Sequence, residues 1–349
     1  MKHLIFKLSR TLSRLKPYAT PISKLLLVLL TGLLLFLSAK AIYGLTQRLG
    51  LGQKTLLSIT KDPKNILAST DNLTNLLLLG IRGEGADSPD VTDTIIVVSY
   101  NHTTKSTTLL SIPRDLYIRS LKTKINSVYH YGGTSQVKGV IQEALGVPIH
   151  YTAVINFKGF IETIDALGGV TINVENSFTD ALYPLPGKET VLPEQNRYET
   201  ISFTKGSQIM DGEKALKFVR SRHAVGEEGT DFARSRRQEL LVSALKQKVL
   251  SPDLLFNETK LDSLLDVFRA NFITDIDLNL FPSLGKIGLS LTDTSLKTIS
   301  LSTEKDDVSL AILETGNPKL YGNQWVLIAK DNNWEALRQY VTNKLQGRQ

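Results

Sequence analysis

A helix-forming segment near residue 231 carries charged and polar side chains at spacings suited to binding an anion. On a helix that begins at Asp231, Arg234 and Gln238 project from the face that also carries the apolar side chains, because residues three, four and seven apart share one side of a helix. A buried arginine requires partners, since an unpaired charge in a protein interior is costly. The pattern therefore favours a ligand site over the common alternative, a solvated charged surface.

Two further arginines, Arg220 and Arg222, precede this helix. If the chain is extended there, side chains two residues apart point to the same side. Clustered arginines suit a pyrophosphate, because each planar guanidinium can bind two non-bridging oxygens and keeps its charge. The alternative for this pair is an ordinary surface position.

A third candidate cluster follows an apolar strand that ends at Pro113. Proline ends strand pairing, so Arg114 and Asp115 are expected in a loop at the sheet edge. Open α/β sheets hold their sites at such an edge, outside the strand ends. The same pair could instead form a structural turn.

Carboxylates in the loop 82–93 complete the set. Asp87, Asp90 and Asp93 supply hard oxygen ligands, and Mg²⁺ prefers one or two carboxylates together with phosphate oxygens and water. Asp93 directly precedes a β-rich run and is the best placed to be rigid, whereas most acidic loops are simply solvated. With the arginines, these residues predict a Mg²⁺-assisted phosphoryl or pyrophosphoryl site. The sequence holds no GxxxxGK[ST], GxSxG or kinase signature, so nucleotide use and acyl transfer lose support.

The elements that must position these residues alternate between β-rich and helical patterns. The predicted strands are 75–80, 94–100, 106–112, 150–156, 170–174, 296–302 and 323–329. The predicted helices are 134–146, 157–167, 211–220, 231–250, 259–270, 276–288 and 331–346. Residues 175–200 are expected to form a long polar loop. Interleaved strands and helices predict an α/β protein, a three-layer α/β/α sandwich with a central mixed sheet.

An N-terminal apolar segment predicts attachment to the cell membrane. Residues 25–45 are long enough for one transmembrane helix. The lysines and arginines of the tail 1–24 place that end in the cytoplasm. A juxtamembrane linker, 46–72, and one catalytic domain, 73–346, are then expected outside the cell. A cleaved signal peptide is the alternative, because residues 39–41 have the small-x-small form of a cleavage site.

Composition excludes several other classes of protein. The net charge is +7, but residues 1–61 hold ten basic and no acidic residues, so the remaining 31 basic and 34 acidic residues give −3. The folded part is thus not a nucleic-acid binder by bulk charge, and no nucleic-acid partner is predicted. The absence of cysteine excludes disulfides and thiol nucleophiles. Five scattered histidines without ligand spacing argue against a zinc hydrolase.

Successive blocks of the sequence resemble the LytR–CpsA–Psr domain over roughly residues 75–250. They read LLLLGI, TDTIIVVSYN, LLSIPRDLYI, KINSVYHYGG, FIETIDALGGVTINV, MDGEKALKFVRSRH and DFARSRRQ. The resemblance implies an enzyme with a polyprenyl-pyrophosphate-linked saccharide as donor, a hydrophobic pocket for the lipid and Mg²⁺ at the pyrophosphate. It implies transfer of the sugar 1-phosphate to a cell-wall hydroxyl, typically on peptidoglycan, with release of polyprenyl phosphate. Two alternatives stay open, a lipid pyrophosphate hydrolase and a non-catalytic, membrane-anchored scaffold or regulator of the cell wall.

The residue patterns and the family resemblance together imply roles for individual residues. The predicted catalytic residues are Asp93, Arg114, Arg220, Arg222 and Arg234. The predicted substrate-binding residues are Arg114, Asp115, Asp231, Arg234 and Gln238. The predicted metal ligands are Asp93, Asp87 and Asp90. One position departs from the family pattern: Arg82 stands two residues after the strand-ending glycine, where an aspartate is usual, so Asp87 or Asp90 is expected to serve the metal instead.

Overall fold

The computed structural model describes residue 58 and residues 60–348, except for 85, 87, 186, 189, 250, 256, 291–294, 302 and 304–310. The chain from Lys61 onward forms one compact unit. The predicted cytoplasmic tail 1–24, the predicted transmembrane helix 25–45 and residues 46–57 and 59 of the predicted linker lie outside the described residues. Within the described part, no helix combines the length and the apolar character needed to cross a bilayer.

Strands and helices alternate along the described chain. The strands are β1 (Leu73–Ile81), β2 (Thr92–Asn101), β3 (Ser106–Ser111), β4 (Tyr117–Ile118), β5 (Thr123–Lys124), β6 (Tyr151–Asn156), β7 (Val170–Val174), β8 (Phe178–Pro184), β9 (Tyr198–Phe203), β10 (Gly206–Met210), β11 (Phe272–Thr274), β12 (Leu296–Ser300), β13 (Leu313–Thr315) and β14 (Leu327–Ala329). The helices are α1 (Val128–Leu145), α2 (Phe157–Ala166), α3 (Gly212–Arg220), α4 (Asp231–Val249), α5 (Pro252–Leu255), α6 (Glu258–Asn271), α7 (Phe281–Ser290) and α8 (Trp334–Gln346). Each predicted strand and helix overlaps one of these elements.

The central sheet, among the described residues, has the strand order β11-β6-β1-β2-β3-β12. Strand β1 pairs in parallel with β6 and antiparallel with β2. Strand β3 pairs antiparallel with β2 and in parallel with β12. The sheet is therefore mixed, which confirms the predicted α/β class with a central mixed sheet. Because β1, β3, β6 and β12 run in one direction, their carboxyl ends lie at the same edge of the sheet.

One face of the sheet packs against α1 and α8. Side chains alternate along β1, and Leu77 and Leu79 point into this core, since successive strand residues face opposite sides. Helix α8 contributes Leu337, Val341 and Leu345 to the same core, because residues four apart share a helix face. Full burial of such a side chain contributes about 1.5–3 kcal/mol. This core holds the strands whose ends carry the candidate site.

A second core joins α2, α3 and α4 to two small antiparallel sheets, one formed by β7 with β10 and one by β8 with β9. At its centre, the Phe203 ring lies 5.1 Å from the Phe178 ring and 5.1 Å from the Phe218 ring, measured between centroids. Stacked and edge-on aromatic pairs at such distances are favourable. Because Phe218 precedes Arg220 by two residues, this core fixes the end of α3.

The prediction of a long polar loop at 175–200 is wrong. Strand β8 lies within it, and β9 begins there at Tyr198. The buried side chains of β8 include Phe178, Asp180 and Tyr183, and its remaining side chains are exposed. A register shift between Asp180 and Tyr183 interrupts the pairing with β9. The shift breaks the two-residue repeat that predicts a strand, and the exposed polar face then resembles a loop.

Candidate active site

The residues that follow the parallel strands meet at one edge of the central sheet. Arg82 directly follows β1, and Arg114 comes three residues after β3. Asp93 is the second residue of β2, which runs antiparallel to both strands and therefore begins at the same edge. Ligand sites of open α/β sheets lie at this edge, outside the carboxyl ends of the strands.

Asp93 is the centre of a cluster of guanidinium groups. Arg82 Nε donates a hydrogen bond to Asp93 Oδ2 at 3.0 Å, and Arg114 Nη1 donates to Asp93 Oδ1 at 2.8 Å. The third member is Arg220, whose Nη2 lies 3.8 Å from Asp93 Oδ2. The Asp93 side chain is 10% exposed, so these ion pairs are less screened than pairs at the surface. One carboxylate thus positions arginines from three separate parts of the chain.

The arginines keep the Asp93 carboxyl ionised. Burial by itself would raise its pKa, but the charge and hydrogen bond of Arg82, followed by the charges of Arg114 and Arg220, hold the pKa below its ordinary value. A carboxylate with a lowered pKa is a weak proton acceptor. Asp93 is therefore suited to orienting cations rather than to acting as a general base.

Aromatic side chains hold Arg220, the last residue of α3. Its guanidinium carbon lies 3.9 Å from the centroid of the Phe157 ring, a distance typical of a cation–π contact. Arg220 Nη1 donates to the Tyr183 hydroxyl oxygen at 3.0 Å. Burial raises the pKa of the Tyr183 phenol, so this oxygen accepts the hydrogen bond as a neutral hydroxyl. The guanidinium is thereby oriented beside Asp93.

The segment after α3 is held by the buried carboxylate of Asp180. Its Oδ2 accepts a hydrogen bond from the Ser221 hydroxyl at 2.7 Å and from the backbone N–H groups of Arg222 and His223 at 3.1 Å each. Ser221 ends the helix with φ −55° and ψ 133°, so the chain is extended at this residue. Arg220 and Arg222 consequently line one pocket, as their spacing predicts.

Helix α4 begins at Asp231, as predicted. Arg234 and Gln238 line the same pocket as Arg222, which agrees with the face assigned from the helical spacing. The side chain of Asp231 lies outside the described part of the chain. The pocket therefore collects residues from the end of α3, the start of α4 and the loop after β3.

Two adjoining cavities are both lined by Asp93, Arg114 and Arg220. The smaller has a volume of about 130 Å³ and is lined by these predicted site residues: Asp93, Arg114, Asp115, Arg220, Arg222, Arg234 and Gln238. The larger has a volume of about 1010 Å³ and is lined by Arg82, Asp93, Arg114 and Arg220 together with Phe157, Ile161, Leu216 and several polar side chains. A space of this size accommodates a large organic ligand. The catalytic and binding roles of the lining residues stay predictions.

A sequence model of the LytR_cpsA_psr family matches residues 46–327. The chain belongs to the LytR_cpsA_psr family. One relative, the polyisoprenyl-teichoic acid–peptidoglycan teichoic acid transferase TagU of Oceanobacillus iheyensis, is 29% identical over 292 residues, 81% of this chain and 79% of that protein. The protein of the same name from Enterococcus faecalis is 30% identical over 221 residues, 62% of this chain and 64% of that protein.

A solved structure shows that this LytR_cpsA_psr chain has the fold of its relatives. The crystal structure of B. subtilis TagV superimposes with a TM-score of 0.55 at 23% identity, covering 80% of this chain and 100% of that one. The predicted family is confirmed. The predicted enzyme class, a transferase that joins a glycopolymer to peptidoglycan, is the class of the two TagU relatives.

The family resemblance implies Mg²⁺, and the described residues do not fit it. Both oxygens of Asp93 accept hydrogen bonds from arginines, Arg82 and Arg114. Asp90 is 50% exposed and lies 3.6 Å from His130, while Asp87 lies outside the described residues. No group of three or more His, Cys, Asp or Glu side chains in the described chain could hold a metal ion. Mg²⁺ requires carboxylate oxygens directed at it, so its site stays a prediction.

Two buried residues that organise the site, Arg237 and Asp180, are not predicted from the sequence. Arg237 is 2% exposed and donates to the Ser221 carbonyl oxygen at 2.7 Å and to Glu228 Oε2 at 2.8 Å. The helical spacing could have predicted the burial of Arg237, because this residue precedes the core residue Leu241 by four positions and so lies on the apolar side of α4. Asp180 carried no such signal, because its strand resembled a loop.

Proposed function

We propose that this chain transfers a glycopolymer from a polyprenyl pyrophosphate carrier to a hydroxyl group of peptidoglycan. The acceptor oxygen forms a bond to the phosphorus that carries the sugar, and the bond from that phosphorus to the bridging oxygen breaks. The acceptor hydroxyl releases its proton to solvent water, and polyprenyl phosphate leaves with the electron pair of the broken bond. The names of the relatives, transferases of polyisoprenyl-linked teichoic acid to peptidoglycan, support this reaction class.

The arginines gathered around Asp93 are the observation that carries the proposal. The charged side chains lining the smaller pocket are Arg114, Arg220, Arg222, Arg234, Asp93 and Asp115. Arginines outnumber carboxylates there, so the pocket is positively charged. A pyrophosphate is anionic, and its leaving oxygen gains negative charge as the bond breaks. Guanidinium groups already held in position stabilise that charge without rearranging during the reaction.

The larger cavity suits the remainder of the donor. It joins the arginine cluster and presents apolar surface from Phe157, Ile161 and Leu216 as well as charged groups such as Lys217 and Glu199. A donor with a prenyl chain on one side of its pyrophosphate and a saccharide on the other needs both kinds of surface. No step is assigned to Mg²⁺, because the arginines occupy the Asp93 oxygens.

The proposal includes attachment to the cell membrane. Helix 25–45 would anchor the chain, with the tail 1–24 in the cytoplasm and the domain 73–346 outside the cell. The basic residues of the tail support this orientation. It places the domain on the side of the membrane where peptidoglycan lies.

The test is transfer of a labelled saccharide by the full chain in detergent. The chain is incubated with a polyprenyl pyrophosphate that carries a radiolabelled saccharide, and with peptidoglycan. We expect label on peptidoglycan and release of polyprenyl phosphate. Arg222→Ala should lower turnover by about 100-fold or more, since it removes a fixed charge from the reaction site.

The matched control is Arg269→Ala, which removes an arginine that is 53% exposed and pairs with Asp266 at 3.8 Å. We expect it to change turnover less than about twofold. If polyprenyl phosphate is released but the label stays in solution, the chain hydrolyses the donor and does not transfer the saccharide. A folded chain that binds the donor without turnover would favour the scaffold alternative.

A further inference from the structure

Arg82 occupies the position at which the family pattern has an aspartate, and it contacts the carboxylate predicted to bind Mg²⁺. Its Nε donates to Asp93 Oδ2 at 3.0 Å. The pair is shielded from solvent, with 24% of the Arg82 side chain and 10% of the Asp93 side chain exposed. The positive charge beside Asp93 is therefore already supplied by a side chain of the protein, Arg82.

The backbone after Arg82 fixes this residue at the base of its loop. Gly83 has φ +87°, and a Cβ at that position would lie 2.9 Å from the Asn156 Cβ. Gly83 N donates to the Pro89 carbonyl oxygen at 2.9 Å, which closes the loop. Glycine is thus required where the chain turns against the end of β6. The turn directs Arg82 back to the sheet edge rather than into solvent.

The charges around Asp93 disfavour a second cation there. Arg82, Arg114 and Arg220 all lie within 4 Å of the carboxylate. A divalent ion would have to displace Arg82 or Arg114 from an oxygen and then lie beside positive charges in a shielded site, where repulsion is strong. Unlike a bound metal ion, the guanidinium of Arg82 is covalently attached to the chain, so this cation is permanent.

The Arg82 charge also faces the ligand space. Arg82, Asp93, Arg114 and Arg220 line the larger cavity, the one that adjoins the pocket assigned to the pyrophosphate. We propose that Arg82 replaces the divalent cation: held by Asp93, it supplies beside the substrate pyrophosphate the positive charge that Mg²⁺ would supply. Transfer by this chain then requires no metal. The inference rests on the proposed function, because it names the group that neutralises the substrate.

The first experiment measures metal binding without any substrate. The full chain in detergent is titrated with Mn²⁺, and free Mn²⁺ is followed by electron paramagnetic resonance. We expect no saturable site in the wild type and one site in Arg82→Asp, which returns a second carboxylate to the sheet edge. The control is Arg82→Gln, which removes the cation without adding a ligand; near-ultraviolet circular dichroism establishes that each variant is folded.

Saturable Mn²⁺ binding by the wild type that Asp93→Asn abolishes would overturn the inference. A folded Arg82→Asp chain without a Mn²⁺ site would also overturn it. If Arg82→Asp does not fold, the comparison of wild type with Asp93→Asn decides alone.

The second experiment measures turnover with a chelator. Wild-type turnover should be unchanged by EDTA, while Arg82→Gln should lose about 100-fold and Arg82→Lys less than about tenfold. Loss of wild-type turnover in EDTA with recovery in Mg²⁺ would overturn the inference. Absence of turnover in every form would contradict the proposed function, and the Mn²⁺ titration would still decide whether Arg82 excludes the metal.

Discussion

Arg237 Nη2 donates a hydrogen bond of 2.7 Å to the carbonyl oxygen of Ser221. This contact joins helix α4, which carries Arg234, to the extended residue between Arg220 and Arg222. Arg237 also pairs with Glu228 at 2.8 Å. The two arginine-bearing segments, separate in the sequence, are thus connected by a buried arginine. Their relative position depends on Arg237 as well as on the residues that line the pocket.

Arg237→Met should destabilise the protein and weaken the site. The change leaves the Ser221 carbonyl and the Glu228 carboxylate without a buried partner, and breaking a buried pair of this kind costs about 3 kcal/mol. The matched control is Arg236→Met at the neighbouring position, where the side chain is 46% exposed and the expected loss is below about 1 kcal/mol. Urea unfolding of the two variants measures the difference. Equal losses would show that burial of Arg237 contributes nothing.

Asp180→Asn should remove a pH-dependent part of the stability. Burial would raise the pKa of Asp180, but hydrogen bonds from Ser221 and from the backbone N–H groups of His223, Leu182 and Arg222 hold it below its ordinary value. The ionised form is therefore favoured by folding. Its contribution is complete above about pH 4, the unfolded pKa, and is lost as the pH falls through the folded pKa.

The measurement for Asp180→Asn is urea unfolding from pH 7 to pH 3. At pH 7 the variant should be less stable than the wild type by about 2 kcal/mol. The difference should shrink below about pH 4 as the wild-type carboxyl gains its proton. A difference that stays constant across this range would contradict the assignment of a lowered pKa to Asp180.

Most of the candidate site could be predicted because its residues lie in local patterns. Helical spacing predicts that Arg234 and Gln238 share one face of α4, and the two-residue spacing of Arg220 and Arg222 predicts that both point to one side. An apolar run followed by proline placed Arg114 at the end of a strand. Each of these inferences depends only on residues close in the chain, and a regular element carries each of them.

Contacts between distant segments could not be predicted in the same way. Asp93 contacts Arg82, Arg114 and Arg220 because of the order of strands β1, β2 and β3 and the position of helix α3. Local sequence patterns do not contain this information. The sequence shows Arg82 only as a departure from the family pattern at a position where a metal ligand is expected. Its contact with Asp93 becomes visible in the structure, while the metal roles of Asp87 and Asp90 stay predictions.

Tyr183→Phe should lower turnover without unfolding the protein. The variant keeps the ring but removes the oxygen that accepts from Arg220 Nη1 at 3.0 Å, so the guanidinium loses one of the contacts that orient it. We expect turnover to fall about tenfold or more, because a hydrogen bond to a charged group contributes about 1.5 kcal/mol or more. Tyr340→Phe, the same change on α8, is the control and should leave turnover within about twofold. A fall of equal size in both variants would indicate a general loss of stability.

Asp93→Asn should separate donor binding from turnover. It removes the negative charge shared by Arg82 and Arg114, so the pocket becomes more positive and the KM for the anionic donor should not rise. The kcat should fall by about 100-fold, because both guanidinium groups lose the carboxylate that orients them. Asp115→Asn makes the same change of charge beside Arg114 and Lys124 but leaves the Asp93 contacts in place, so its kcat should fall less. Steady-state kinetics of both variants provides the comparison, and equal falls in kcat would mean that Asp93 contributes through pocket charge alone and not by orienting the arginines.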